Sequence, residues 1–155
     1  MEHRIGYDFK IEDMSLPIQV IVNKIVMDEV FLTPRLNIPS QQWSDEEISR
    51  YFESILINFP IYPFCFSLEQ NKYWEIFDGY NRIMAFKKFI LPQPDEKQFA
   101  LKGLKFLTHI EGSTFNKLAI SYKKKIMQRY CKVHMVRYAE PEEVKDVILS
   151  RLGKK

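Results

Sequence analysis

The sequence feature that most restricts the fold is an amphipathic helix with its own start signal near the middle of the chain. Ser44-Asp45-Glu46-Glu47 is a capping box, in which the first and last side chains satisfy backbone N–H groups at the helix start. Apolar residues then recur at helical spacing: Ile48, Tyr51, Phe52, Ile55 and Leu56. The pattern predicts a helix from about 45 to 57, and its apolar stripe needs another apolar layer to cover it.

Short segments typical of strands and further helices surround this helix. A buried strand is expected around 62–67, and Asn71-Lys72 is expected to turn the chain into a second strand over 73–77, as a hairpin. A second helix is expected over 81–90, a basic-faced helix over 121–130, a strand over 131–139 and a final helix after Pro141. Helices and strands interleave without regular βαβ units, which predicts the α+β class.

One domain accounts for most of the chain. Residues 1–14 are polar and aperiodic and are expected to form a flexible N-terminal arm, and residues 15–155 a single domain. Within that domain, the segment from Pro17 to Met27 favours a helix capped by Ser15, with a strand as the alternative because of its β-branched residues. Residues 101–115 show no clear period.

Composition excludes several classes of protein. The chain has 155 residues, 46% of them hydrophobic, so it is neither disordered nor fibrous. Its net charge of +3 permits a nucleic-acid partner without requiring one. No apolar stretch approaches the roughly 20 residues of a membrane span. Cys65 and Cys131 lie in apolar runs without metal-ligand spacing, which predicts buried free thiols and a cytoplasmic protein.

The turn Asp78-Gly79-Tyr80-Asn81-Arg82, between the second strand and the second helix, is the main candidate site. A helix N-terminus presents unpaired N–H groups and partial positive charge, which attract phosphate. A glycine lets an anion approach the backbone, and an arginine adds a forked donor. The aspartate could hold Mg²⁺ or cap the helix. The same spacing also fits an ordinary turn followed by a solvated arginine.

Four segments together resemble a known superfamily. In chain order they are PRLNIPSQQWSDEEISRYFESILINFPIYPFCF, YWEIFDGYNRIMAFKKF, LKGLKFLTHIEGSTFNKL and ILSRLG. Over roughly residues 30–153 the chain resembles the ParB/sulfiredoxin-like superfamily, and the nearest branch looks like the N-terminal domains of GmrSD-type modification-dependent restriction enzymes and related phage-defence proteins. The resemblance implies a small mixed sheet flanked by helices that binds a nucleoside triphosphate with Mg²⁺. In those enzymes nucleotide hydrolysis regulates a separate nuclease domain.

The resemblance also implies which residues form the site. Asp78, Gly79 and Arg82 match the family signature Asp-Gly-Gln-Gln-Arg, with Tyr80 and Asn81 in place of the two glutamines. Asp78 and Arg82 would then be catalytic, and Asp78 the metal ligand. Further polar positions that could border the same pocket are Arg35, Gln42 and Glu53. From periodicity alone, Glu53 lies off the apolar stripe and is expected to face solvent.

The chain also departs from the family pattern. With both glutamines replaced, and with Gly153 where an asparagine is expected, nucleotide binding is expected to survive more readily than hydrolysis. Related chains often continue into a His-Asn-His-type nuclease, whereas the three histidines here, His3, His109 and His134, lack metal-site spacing. The chain is therefore not expected to be a self-sufficient nuclease, and a separate nuclease domain or subunit is an expected partner.

A basic cluster supports a second hypothesis. Its members are Lys123, Lys124, Lys125 and Arg129. Such a cluster could follow a DNA backbone, although a solvated helix face is the simpler interpretation. The leading hypothesis is a nucleoside-triphosphate-binding domain related to DNA restriction or anti-phage defence, with any hydrolysis slow. The alternative is a DNA- or partner-binding module whose nucleotide site has decayed.

Overall fold

The computed structural model describes residues 10–32, 41–68 and 73–137, together with Val147, Ser150 and Arg151. In these parts the chain is α+β, with a five-stranded mixed sheet and four α-helices. The strands are β1 (Lys10–Pro17), β2 (Val30–Leu32), β3 (Phe64–Leu68), β4 (Trp74–Asp78) and β5 (Tyr130–Arg137). The helices are α1 (Ile18–Val26), α2 (Asp45–Leu56), α3 (Tyr80–Phe89) and α4 (Ile120–Met127).

The sheet order is β1-β5-β3-β4-β2. The β1–β5 and β3–β4 pairs are antiparallel, and the β5–β3 and β4–β2 pairs are parallel. The predicted α+β class and the small mixed sheet flanked by helices are therefore confirmed. The predicted antiparallel pairing of the two central strands is also confirmed, with a register shift between Cys65 and Phe66.

The predicted capping box fixes the start of α2. The Ser44 Oγ accepts a hydrogen bond from the Glu47 backbone N–H at 3.2 Å, and the Glu47 Oε1 accepts one from the Ser44 backbone N–H at 3.2 Å. The helix then directs its apolar stripe at α3 and the sheet. Phe52 packs against Phe86 and Phe89 of α3, with ring centroids 6.2 Å and 4.6 Å apart. This aromatic contact sets the spacing between the two helices that border the candidate site.

The N-terminal prediction is wrong for residues 10–14, because β1 begins at Lys10 and pairs along its length with β5. This polar, aperiodic segment forms a strand because it pairs with β5. The prediction failed because β5 lies more than a hundred residues further along the chain. The helical interpretation of the next segment is confirmed, although its cap is not Ser15. That residue lies in β1 opposite Lys132, and Pro17 is the N-cap of α1. Residues 1–9 lie outside the described part.

The C-terminal elements are shifted from their expected bounds. Helix α4 ends at Met127, and β5 already begins at Tyr130, so Arg129 lies in the connection. The helix expected after Pro141 falls mostly outside the described residues. Residues 101–118 are irregular apart from two short 3₁₀ turns, Thr108–Ile110 and Phe115–Lys117.

The two cysteines are buried free thiols, as predicted. Cys65 lies in β3 and Cys131 in β5. Burial raises the pKa of the Cys131 thiol to about 11, which favours the protonated thiol at neutral pH.

Candidate functional site

The predicted phosphate turn is tightly packed. Gly79 is the N-cap of α3 and has a φ of +124°, a conformation that L side chains rarely adopt. A Cβ at this position would lie 2.5 Å from Cδ1 of Phe64. The glycine is therefore explained by its backbone conformation and by the approach of a phenylalanine ring. The space expected to admit a phosphate is filled by that ring.

Arg82 forms hydrogen bonds with the chain itself. Its Nη1 donates to the carbonyl oxygens of Tyr62 at 2.6 Å and Pro63 at 2.7 Å, and its Nη2 donates to Asp78 Oδ1 at 3.3 Å. The guanidinium lies 4.7 Å from the centroid of the Phe64 ring, and the residue is only 8% exposed. The contacts engage three of the five N–H donors of the side chain. The main role of Arg82 in the structure is therefore to fix the connection between α2 and β3 through hydrogen bonds to its backbone.

The residues that replace the family glutamines lie on the first turn of α3. Asn81 Oδ1 accepts a hydrogen bond from the backbone N–H of Trp43 at 3.1 Å, and its Nδ2 donates to the Gln41 carbonyl oxygen at 3.4 Å. This amide fixes the chain that leads into α2. Tyr80 is partly buried, and Gln42 is exposed next to Trp43.

The described residues contain no group of three or more His, Cys, Asp or Glu side chains that could hold a metal ion. Asp78 is the predicted ligand, and its carboxylate already faces the Arg82 guanidinium. An arginine beside a carboxylate competes with a cation for the same oxygens.

Glu53 is buried at 4% exposure, so the expectation that it faces solvent is wrong. Its carboxylate accepts hydrogen bonds from the backbone N–H groups of Lys105, Phe106 and Leu107 at 2.8–3.1 Å. Burial is the largest influence and raises the pKa of Glu53, but the amide bonds together with Arg50 bring it below its ordinary value. Glu53 therefore anchors the 103–107 loop by filling a nest of amides that could otherwise bind an anion. Arg35 lies outside the described residues.

A cavity of about 300 Å³ lies on the other side of Arg82, between α2 and the chain that follows it. We call it the Arg82 cavity. Its lining residues are Trp43, Glu47, Arg50, Tyr51, Ser54, Pro60, Ile61, Tyr62 and Arg82. Of the predicted site residues in the described part of the chain, Arg82 alone belongs to this set. The cavity therefore adds to Arg82 a second arginine, one glutamate and three aromatic side chains that the signature turn does not contain.

Tyr51 is the residue of this cavity that sequence reasoning missed. Its side chain is 8% exposed, and its ring packs against Trp43 with centroids 5.3 Å apart. Its hydroxyl is fully buried and has no hydrogen-bond partner among the described residues. The sequence placed Tyr51 on the apolar stripe of α2, which is correct for the ring. The sequence did contain one indication: a tyrosine at a position predicted to be buried has a hydroxyl that usually needs a hydrogen-bond partner.

The predicted basic cluster divides into two kinds of residue. Lys124 and Lys125 are exposed on α4, and Lys123 is partly buried. Arg129 instead donates to the carbonyl oxygens of Ile55 at 3.2 Å and Phe59 at 2.7 Å. It therefore satisfies carbonyls at the C-terminal end of α2, as cations at helix ends commonly do.

Comparison of the chain with protein-family models, with curated proteins and with solved structures gives no match. The resemblance to the ParB/sulfiredoxin-like superfamily therefore stays a prediction. In the described part of the chain, no helix is long and apolar enough to cross a membrane.

Proposed function

We propose that the protein binds a nucleotide in the Arg82 cavity, with the anionic group paired to arginine and the base held among the aromatic side chains. The observation that supports this most strongly is Tyr51, which lines the cavity and whose buried hydroxyl has no partner among the described residues. The proposal keeps the predicted ligand class. It moves the binding site from the N-terminus of α3 to the face of α2.

The Tyr51 hydroxyl favours an oxygen or nitrogen acceptor on a ligand. Leaving a buried hydroxyl unpaired costs roughly 1–3 kcal/mol, so a native exception needs an explanation. Burial raises the pKa of Tyr51, which keeps the hydroxyl protonated and able to donate at neutral pH. A ligand acceptor in the cavity would recover the lost hydrogen bond.

The charge and shape of the cavity favour a nucleotide over other small ligands. Arg82 has two N–H donors beyond those used by Tyr62, Pro63 and Asp78, and Arg50 is exposed at the cavity wall. Arginine suits phosphate because its planar fork matches two oxygens. Trp43 and Tyr62 supply ring faces for a base. A volume of about 300 Å³ is at the lower end of small-molecule sites, which favours one nucleotide over a larger ligand.

The proposal covers binding and not hydrolysis. A catalytic carboxylate must reach the attacking water or its metal, and Asp78 is not among the residues that line the Arg82 cavity. No step through Mg²⁺ is included, because Asp78 is paired with Arg82. A role in DNA restriction or phage defence, with a separate nuclease, follows only from the sequence resemblance.

Calorimetric titration with ATP, GTP, CTP and UTP tests the proposal, each with EDTA and with Mg²⁺, alongside inorganic triphosphate. We expect at least one nucleotide to bind in EDTA more tightly than inorganic triphosphate, because the base contributes. Tyr51→Phe should weaken that binding about tenfold, the loss of one hydrogen bond. Tyr73→Phe is the matched control, since this exposed tyrosine packs on Phe31 and is not a lining residue.

Two outcomes contradict the proposal. One is the absence of binding by all four nucleotides at millimolar concentration, and the other is equal affinity of the wild type and Tyr51→Phe. Binding that requires Mg²⁺ and is abolished by Asp78→Asn would instead return the site to the signature turn.

A further inference from the structure

Positive charge is concentrated in one part of the chain. Residues 112–139 contain no acidic residue, and their basic residues are Lys117, Lys123, Lys124, Lys125, Arg129, Lys132 and Arg137. The rest of the chain then has 16 basic against 20 acidic residues. The modest net charge of +3 therefore combines a strongly basic segment with an acidic remainder, an asymmetry typical of proteins that bind a polyanion.

This segment borders a second cavity, of about 390 Å³, between the C-terminal end of α2 and the connection from α4 to β5. We call it the Tyr130 groove. Its lining residues are Ile55, Asn58, Lys125, Gln128, Arg129 and Tyr130. The hydrogen bonds of Arg129 to Ile55 and Phe59 hold its guanidinium in this wall. The groove therefore has a fixed cation, a flexible one at Lys125 and two polar amides.

The lysines beside the groove are available to an external anion. Lys124 and Lys125 are exposed, and neither they nor Lys123 form an ion pair with any residue of the described ranges. Helix α4 itself carries no acidic residue. Unpaired cations of this kind, held on one short helix, can neutralise successive phosphates and release their counterions.

Exposed aromatic rings lie next to these cations. Tyr130 lines the groove and is 65% exposed. Phe59 directly follows Asn58 in the chain and forms an edge-to-face pair with Phe106, with centroids 5.8 Å apart. Phe59 is 47% and Phe106 58% exposed. Exposed rings beside cations suit bases that are not already stacked in a duplex.

We propose that the Tyr130 groove binds single-stranded nucleic acid, with Lys124 and Lys125 contacting phosphates and Tyr130 stacking on a base. The groove has room for about one nucleotide at a time, and its exposed rings need the open base faces that a duplex hides. This site is separate from the Arg82 cavity, because the two share no lining residue.

Fluorescence anisotropy with a labelled oligothymidylate of about 15 nucleotides tests the proposal, since that length is near the largest site size of small single-strand-binding domains. An oligouridylate and a duplex of equal length are the comparison ligands. The double variant Lys124→Gln/Lys125→Gln should weaken binding about tenfold and reduce the slope of log K against log salt by about 1.4, from two phosphate contacts. The control Lys87→Gln/Lys88→Gln removes the same charge from an exposed pair on α3 and should change binding less than about twofold.

Tyr130→Ala distinguishes stacking from charge. It should weaken binding of both single strands about tenfold while leaving the salt slope unchanged, because a ring contact releases no counterions. Tyr130→Phe should keep the affinity of the wild type, and circular dichroism should show that each variant is folded. Tyr51→Phe should bind the oligomers as the wild type does, which separates this proposal from the nucleotide site.

Several results would overturn the proposal. Equal losses in the two double-lysine variants would show that net charge alone drives binding. A duplex bound as tightly as the single strands, or Tyr130→Ala binding like the wild type, would remove the stacking role. Displacement of the oligomer by poly-glutamate at the same charge concentration would indicate an acidic protein partner.

Discussion

Arg82 and Arg129 hold the same stretch of chain from two sides, and they do so in different surroundings. Arg82 extends from α3 to the carbonyl oxygens of Tyr62 and Pro63, whereas Arg129 extends from the α4–β5 connection to those of Ile55 and Phe59. Arg82 is buried against an aromatic ring and also faces a carboxylate. Arg129 is only partly buried and has exposed lysines as neighbours.

The difference shows that sequence spacing does not distinguish an arginine that binds a ligand from one that holds the fold. The sequence makes both residues ligand-binding candidates, Arg82 from a signature turn and Arg129 from a basic run. Both donate to backbone carbonyl oxygens between the end of α2 and the start of β3. Among the described residues, the donors without a protein partner are neighbours of these arginines: the Tyr51 hydroxyl near Arg82 and the α4 lysines near Arg129.

The largest expected effect separates the two arginines directly. Arg82→Ala should reduce the free energy of unfolding by about 3–5 kcal/mol, because it removes the three hydrogen bonds of a buried guanidinium, two of them to carbonyl oxygens. Arg129→Ala should lose about 1–2 kcal/mol, because the Ile55 carbonyl oxygen still accepts from the Asn58 backbone N–H and Phe59 is exposed to solvent. Urea denaturation of both variants measures the difference. An Arg82→Ala loss equal to or smaller than that of Arg129→Ala would contradict the comparison.

The next effect tests the packing of the turn that holds Arg82. Gly79→Ala should reduce the free energy of unfolding by about 3 kcal/mol, because the new methyl group combines an unfavourable φ with a clash against Phe64. Gly112→Ala is the matched control: its φ is +82° but nothing lies within 4 Å of the added carbon. That variant should lose only about 1 kcal/mol, from the backbone alone. Equal losses of stability for the two variants in thermal denaturation would show that the Phe64 ring does not fill the space beside Gly79.

Glu53 extends the comparison to an anion that holds backbone amides. Glu53→Gln should reduce the free energy of unfolding by about 2 kcal/mol at pH 7, because an amide cannot accept all the hydrogen bonds of a carboxylate. The pKa of Glu53 is lowered in the folded state, so its contribution is complete above the unfolded-state pKa of about 4.3. It is lost as the pH falls through the folded value.

Denaturation at several pH values measures this dependence. The gap between wild type and Glu53→Gln should close as the pH drops below about 4. Glu96→Gln is the control, since Glu96 is exposed and its loss should change stability by less than about 0.5 kcal/mol. A gap independent of pH would mean that the carboxylate charge does not stabilise the 103–107 loop.

The smallest effect has the opposite sign. Without ligand, Tyr51→Phe should stabilise the protein by about 1 kcal/mol, because it removes a buried hydroxyl that has no partner in the described part of the chain while keeping the ring that packs on Trp43. Thermal denaturation in nucleotide-free buffer checks the sign, with Tyr73→Phe expected to be neutral. Destabilisation by Tyr51→Phe would show that the hydroxyl already has a partner, such as a bound water.

Local signals were sufficient where an element contains its own start or period. The capping box at Ser44 located α2, and the apolar runs located β3 and β4 as an antiparallel pair. Local signals failed where a partner distant in the chain determines the secondary structure or the burial of a residue. Residues 10–14 have no period of their own, yet they form a strand because β5 presents its edge to them. Glu53 has the spacing of an exposed residue, yet the 103–107 loop folds over it.

The sequence by itself determined the α+β class, the capped helix, the buried free thiols and the concentration of basic residues before β5, because these depend on composition and on interactions within a few residues. Only the tertiary structure decided the sheet order and which polar groups are available to a ligand. The physical reason is that the role of a guanidinium, a carboxylate or a hydroxyl depends on the partners that already satisfy it. For Arg82, Arg129 and Glu53 those partners include backbone groups 19 or more positions away in the chain.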